Sequence, residues 1–104
     1  MLINIGVKSL FKIELFFDET LSEAELKKLG SKIDKIFAEE TITRVDKTLT
    51  SRIYYDNGFE EDFGKMWASL CRIKNSIDYN KLLVKGYWYE NDDKEDLIVE
   101  FFGR

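Results

Sequence analysis

The chain has 104 residues, of which 44% are hydrophobic and 14% aromatic, so a disordered chain is excluded and one folded domain is expected over residues 1–104. Sixteen basic and twenty acidic side chains give a net charge of −4, which argues against direct nucleic-acid binding, because nucleic-acid-binding surfaces are usually basic. No stretch approaches the roughly 18 apolar residues of a membrane span, so we expect no membrane association.

The composition also removes the commonest catalytic and metal-binding side chains. The chain has no histidine and a single cysteine, Cys71. Ser-His and Cys-His nucleophile pairs and the usual tetrahedral zinc sites therefore lack their residues. Because Cys71 follows Leu70 within an apolar helical pattern, we predict that its thiol is buried and structural. A single cysteine cannot form an intramolecular disulfide, so we expect a reducing, cytoplasmic compartment. We expect neither an enzyme nor a bound cofactor or metal.

The first part of the chain predicts a strand followed by a helix. Leu10 to Phe17 alternates apolar and polar residues, as expected of a strand with one buried face. The helix can begin at either of two capping boxes, one formed by Thr20 with Glu23 and the other by Ser22 with Glu25. Its apolar stripe consists of Leu26, Leu29, Ile33, Ile36 and Phe37.

The middle of the chain is rich in Thr, Val, Ile and Tyr, which favour strands. We predict a hairpin of two strands, Thr41–Val45 and Thr48–Tyr55, turning at Asp46 and Lys47. One long bent strand is the alternative.

A second helix is predicted after Asn57, which is placed as its N-cap with Glu60 at the third helical position. Arg72 and Lys74 then fall in the last turn, where the helix dipole favours cations. The apolar residues that recur at helical spacing are Phe59, Phe63, Met66, Trp67, Leu70 and Ile73.

The C-terminal part predicts two strands, Leu82–Glu90 and Leu97–Phe102, joined by a polar loop over 91–94. The order β-α-β(β)-α-β-β predicts an α+β fold with two helices on one face of a mainly antiparallel sheet. A ferredoxin-like arrangement with an extra C-terminal strand is one form of it. An apolar strand at 97–102 would need cover if it were at a sheet edge. A second copy (a homodimer), a partner strand or Met1–Val7 could supply that cover.

Aromatic residues give the best indication of a binding site. Tyr87, Trp88 and Tyr89 are consecutive, so a strand directs Tyr87 and Tyr89 to one face and Trp88 to the other. If the helices cover one face, the opposite face collects large rings, together with Tyr54 or Tyr55. Tyr and Trp are enriched in binding hot spots, although packing across strands explains the pattern equally well.

Two acidic segments accompany these rings and predict attraction to a basic partner surface. The first is Glu60, Glu61 and Asp62, and the second is 90–96, which includes Asp92 and Asp93.

Lysines form a separate row on the first helix. The row consists of Lys28, Lys32 and Lys35, beside Lys27, and predicts either contact with phosphates or an ordinary solvated face.

These features favour a protein-binding domain that acts by occluding a partner. Immunity proteins and phage-encoded inhibitors of bacterial defence have a comparable size and charge, which is an analogy only. The alternative is a protein that binds and sequesters a small molecule or nucleotide, as a monomer or as a dimer with a pocket between sheets. A structural subunit of an assembly is a third hypothesis.

Overall fold

A computed structural model of the protein describes residues 10–91 and 93–103. Its elements in chain order are β1 (Phe11–Phe17), α1 (Glu23–Glu39), β2 (Arg44–Lys47), β3 (Ser51–Tyr55), α2 (Asp62–Lys74), α3 (Ile77–Asn80), β4 (Leu83–Glu90), β5 (Asp93–Asp96) and α4 (Leu97–Glu100). The strands form one antiparallel sheet in the order β2-β3-β1-β4-β5. The predicted α+β class is confirmed, and the strand order is compatible with a ferredoxin-like arrangement extended by β5. Over the described ranges, no helix combines the length and apolarity that a membrane crossing requires.

Both long helices pack on the same face of the sheet. Ile13 of β1 pairs with Tyr54 of β3 and Trp88 of β4, so these three side chains share that face. The Phe37 ring of α1 stacks on Tyr54 with the ring centroids 3.8 Å apart, and the Trp67 ring of α2 stacks on Trp88 at 4.7 Å. The hydrophobic core therefore lies between α1, α2 and this face, and within residues 10–91 and 93–103 no helix packs on the other face of the sheet.

The start of α1 follows the second of the two predicted capping boxes. The Ser22 hydroxyl accepts a hydrogen bond from the Glu25 backbone N–H, and the Glu25 carboxylate accepts one from the Ser22 N–H, both at 3.2 Å. Thr20 is engaged earlier, because its N–H and hydroxyl both donate to the Asp18 carboxylate. The helix therefore begins at Glu23.

The central hairpin is confirmed, but its predicted turn is wrong. Asp46 and Lys47 belong to β2, where they pair with Ile53 and Arg52 of β3. The turn lies at 48–50 and is closed by a hydrogen bond from the Thr48 N–H to the Ser51 carbonyl.

The predicted start of the second helix is also wrong. Asn57 does not cap α2, because its side chain donates to the Thr41 carbonyl and its backbone N–H donates to the Asp62 carboxylate. The helix begins at Asp62, so Glu60 lies before it rather than in its first turn. A tertiary contact has displaced the local capping signal.

The predicted strand over 97–102 is helical at its start. Asp96, at the end of β5, accepts hydrogen bonds from the Ile98 and Val99 N–H groups and so caps α4. Leu97 and Phe102 are buried, while 60% of Val99 is exposed. The sheet ends instead at the short, charged β5, whose four residues are all exposed. The argument for a homodimer through an apolar C-terminal strand therefore no longer holds.

A buried arginine connects α1 to the central hairpin. The Arg52 Nε donates to Asp34 of α1 at 2.9 Å, and its Nη1 donates to the Thr48 and Ser51 carbonyls at 2.6 and 2.9 Å. The guanidinium passes beside Gly30, where a β-carbon would lie 2.0 Å from Arg52 Nη2. Gly30 is therefore needed for this close approach.

We expect Gly30→Ala to destabilise the protein by about 1–3 kcal/mol, because the added methyl displaces a guanidinium that is held by several hydrogen bonds. Gly64→Ala is the matched control, since nothing lies within 4 Å of a β-carbon at this position of α2. We expect this control to stabilise by up to about 1 kcal/mol through helix propensity. Chemical denaturation of both variants measures the difference, and equal stabilities would contradict the packing argument.

Candidate functional site

The three consecutive aromatic residues of β4 are divided between the two faces of the sheet. Tyr87 and Tyr89 lie on the face without helices, together with Tyr55 of β3, and each is half-buried. Trp88 and Tyr54 lie on the helical face, where they are 2% and 1% exposed. Trp88 and Tyr54 therefore cannot contact a partner from the open face, and Tyr55 takes the position that Tyr54 was expected to share.

The tyrosines of the open face are already engaged with neighbouring charged side chains. Tyr89 donates its hydroxyl hydrogen to Glu14 at 2.9 Å, and the Lys12 ammonium lies 4.5 Å from the centre of the Tyr89 ring. The Lys94 ammonium lies 4.1 Å from the centre of the Tyr87 ring. Such contacts across strands stabilise a sheet, so these rings serve packing within the open face.

Exposed apolar side chains gather at one end of the molecule, where β1 begins, β4 ends and α2 starts, while Leu49, Val84 and Val99 are exposed outside this region. A groove of about 370 Å³ opens there. We call it the end groove, and it is lined by Leu10, Phe11, Glu60, Phe63, Glu90 and Asn91. Leu10 and Phe63 are 37% and 43% exposed, and Phe59, which precedes Glu60, is 59% exposed. Large apolar side chains and two carboxylates therefore meet at one surface.

Two buried aspartates shape the backbone around the end groove. Asp56 accepts hydrogen bonds from the N–H groups of Leu10 and Gly58, at 2.9 and 3.1 Å. Asp62 accepts from those of Asn57 and Phe59, at 2.8 and 3.2 Å. These bonds fix the segment before α2 against the start of β1, which places Phe59 and Phe63 at the surface.

A cluster of aromatic rings supports the floor of the end groove. The Phe63 ring lies 5.4 Å from Phe11 and 5.5 Å from Trp88, in edge-to-face geometry. Phe11 stacks on Trp88 at 5.6 Å, and Trp88 stacks on Trp67. Phe63 is therefore held in place from below while part of its ring faces solvent, as expected of a preformed contact residue.

The predicted acidic residues have different environments. Glu60, Glu61 and Asp93 are exposed, whereas Asp62 is 1% exposed and is used by the backbone, so its assignment to a partner surface is wrong. Asp92 lies outside the described residues. Glu60 of the first segment and Glu90 of the second line the same groove, and Asp93 pairs with Glu90 across β4 and β5.

Cys71 is exposed, so the prediction of a buried thiol is wrong. The buried apolar positions of α2 are Met66, Leu70 and Ile73, and Cys71 lies outside this stripe. Local sequence patterns did not predict the end groove itself. The only sequence signal for it was the apolar character of Phe59 and Phe63, which a helical pattern had assigned to the core.

Comparison with known proteins adds no relative, since no family model, curated protein or solved structure matches the chain.

The contact between Tyr89 and Glu14 generates a testable prediction. Burial, followed by the hydrogen bond to Glu14 and the charge of that carboxylate, raises the pKa of Tyr89 to about 12. A folded-state pKa above the ordinary value of 10.0 contributes stability that is fully present below about pH 10 and lost as the pH rises through 12.

We expect Glu14→Gln to lower the pKa of Tyr89 towards its ordinary value while burial keeps it from falling the whole way. An NMR titration of the Tyr89 ring measures the change. Glu100→Gln, an exposed position on α4, is the control and should leave this pKa unchanged. An unaltered pKa in Glu14→Gln would show that the carboxylate does not act on the phenol.

Proposed function

We propose that the protein binds another protein and occludes a basic surface of it, using the end groove as the contact site. The observation that carries this proposal is the placement of exposed apolar side chains inside an acidic rim. Contiguous exposed apolar surface of this kind is typical of interaction sites. The proposed class of function is inhibition or immunity by masking, without a catalytic step.

Charge identifies the kind of partner. Of the described residues that line the end groove, Glu60 and Glu90 are carboxylates and none is a cation. Glu61, next to Glu60, and Asp93, three residues after Glu90, are also exposed. The chain as a whole carries a net charge of −4. A partner that presents an apolar side chain flanked by Lys or Arg is complementary to this surface, and a partner with an acidic surface is repelled.

The two components of the surface have different roles in binding. The carboxylates attract a basic surface over several ångströms and raise the association rate, most strongly at low salt. Leu10 and Phe63 lose their contact with water only after docking, so they slow dissociation. Tyr87 and Tyr89 are on a different surface, and the proposal does not require them.

We expect Glu60→Lys to slow association with the partner protein severalfold at low salt, and to weaken the salt dependence of the association rate. The partner is first isolated with wild-type protein and purified, and its binding is then followed by surface plasmon resonance. Glu19→Lys makes the same change of charge at the opposite end of β1, at an exposed site, and should have a much smaller effect. Equal rates for the two variants would contradict steering by the end groove.

We expect Phe63→Ser to weaken the affinity for the same partner by about tenfold or more, since a buried aromatic anchor typically contributes above 1.4 kcal/mol. Val99→Ser is the matched control, because Val99 is also exposed, at 60%, but lies on α4. Both variants are first checked for folding by circular dichroism. A partner that binds folded Phe63→Ser as tightly as wild type would show that the end groove is not the contact site.

A further inference from the structure

A second cleft differs in charge from the end groove, because half of the described residues that line it are cations. It has a volume of about 390 Å³ and lies between α1, α2 and α3. Lys32 and Lys35 come from α1, Arg72 from α2 and Tyr79 from α3. Ile36 and Glu39 of α1 complete the lining, and we call this site the cationic cleft.

The arginine of the cationic cleft is held in position before any ligand arrives. Arg72 Nη2 donates to the Glu39 carboxylate at 2.6 Å, and Nη1 donates to the Ile36 carbonyl at 3.4 Å. The hydrogen bond from Arg72 lowers the pKa of Glu39, so this carboxylate stays ionised and keeps its hold on the guanidinium at neutral pH. An arginine has five N–H donors, and these two contacts leave donors for a ligand.

The balance of charge in the cationic cleft is opposite to that of the chain. Among the described residues that line it, three are cations and one is a carboxylate, although the protein carries −4 overall. A guanidinium held by Glu39 beside two exposed lysines is well suited to phosphate oxygens, since arginine gives directed hydrogen bonds and lysine adds charge.

An aromatic ring adjoins these cations. The Lys32 ammonium lies 5.8 Å from the centre of the Tyr79 ring, so a ligand that contacts the lysine also reaches the ring. Tyr79 packs against the core but is only half-buried, so part of its ring is accessible to a planar group at the edge of the cleft. The volume of the cleft is within the range of small-molecule sites, roughly 300–1,000 Å³.

We propose that the cationic cleft binds a nucleoside diphosphate, with the phosphates on Lys32, Lys35 and Arg72 and the base against Tyr79. This site gives a role to Lys32 and Lys35 of the lysine row of α1, to which the end groove gives none. It is separate from the protein-binding proposal and stands or falls independently of it.

Isothermal titration calorimetry with ADP and with inorganic phosphate tests the site. Wild-type protein should bind ADP in a saturable way and more tightly than phosphate. The double variant Lys32→Gln, Lys35→Gln removes two exposed charges without touching Arg72, and should weaken ADP binding by about tenfold or more. Lys27→Gln is the control on the same helix, outside the lining, and should bind ADP as wild type does.

Tyr79→Leu separates the base from the phosphates. We expect it to weaken ADP binding while leaving phosphate binding unchanged, because only the nucleotide uses the ring. The proposal is overturned if wild-type protein shows no saturable binding of ADP, or if ADP binds no more tightly than inorganic phosphate. Unchanged ADP affinity in the folded double-lysine variant would overturn it as well.

Discussion

The buried guanidinium of Arg52 is the interaction on which the relative placement of α1 and the sheet depends. It bonds to Asp34 of α1 and to two carbonyls of the hairpin turn, and it lies 5.4 Å from the centre of the Phe17 ring of β1. The same Asp34 carboxylate accepts the Tyr54 hydroxyl at 2.5 Å. A buried charge that lost these partners would cost several kcal/mol, so the helix, the turn and the sheet must assemble in one arrangement.

Buried aspartates apply the same principle at the other end of β1. Asp56 and Asp62 are almost completely inaccessible to solvent, and backbone N–H groups satisfy their carboxylates. A segment without regular structure is thereby fixed, and the apolar residues that it carries are exposed rather than folded inwards. The hydrophobic effect favours burial of Phe59, so its exposure depends on the hydrogen bonds that the two aspartates accept from the backbone.

The two proposed sites place opposite charges on different surfaces of one small domain. The end groove has a rim of carboxylates, whereas the cationic cleft collects Lys32, Lys35 and Arg72 around a single glutamate. Because side chains alternate along a strand and recur every third or fourth residue on a helix, a domain of this size can present several surfaces of distinct chemistry. The net charge of the chain therefore affects how fast a charged partner approaches, whereas the local arrangement of charged residues sets the kind of ligand that each proposed site would suit.

The sequence by itself determined the α+β class, the two long helices, the central hairpin and the strand that carries the three aromatic residues. These features follow from local periodicity, which is a property of neighbouring residues. Tertiary structure alone decided which tyrosine faces solvent, because the register of β3 sets Tyr54 against Phe37. It also buried Leu97 and Phe102 at the two ends of a helical turn where a strand was predicted, and it engaged the Asn57 side chain with the Thr41 carbonyl, which removed the predicted cap of α2. Contacts between residues distant in sequence bring Leu10, Phe63 and Glu90 together, and no local pattern records them.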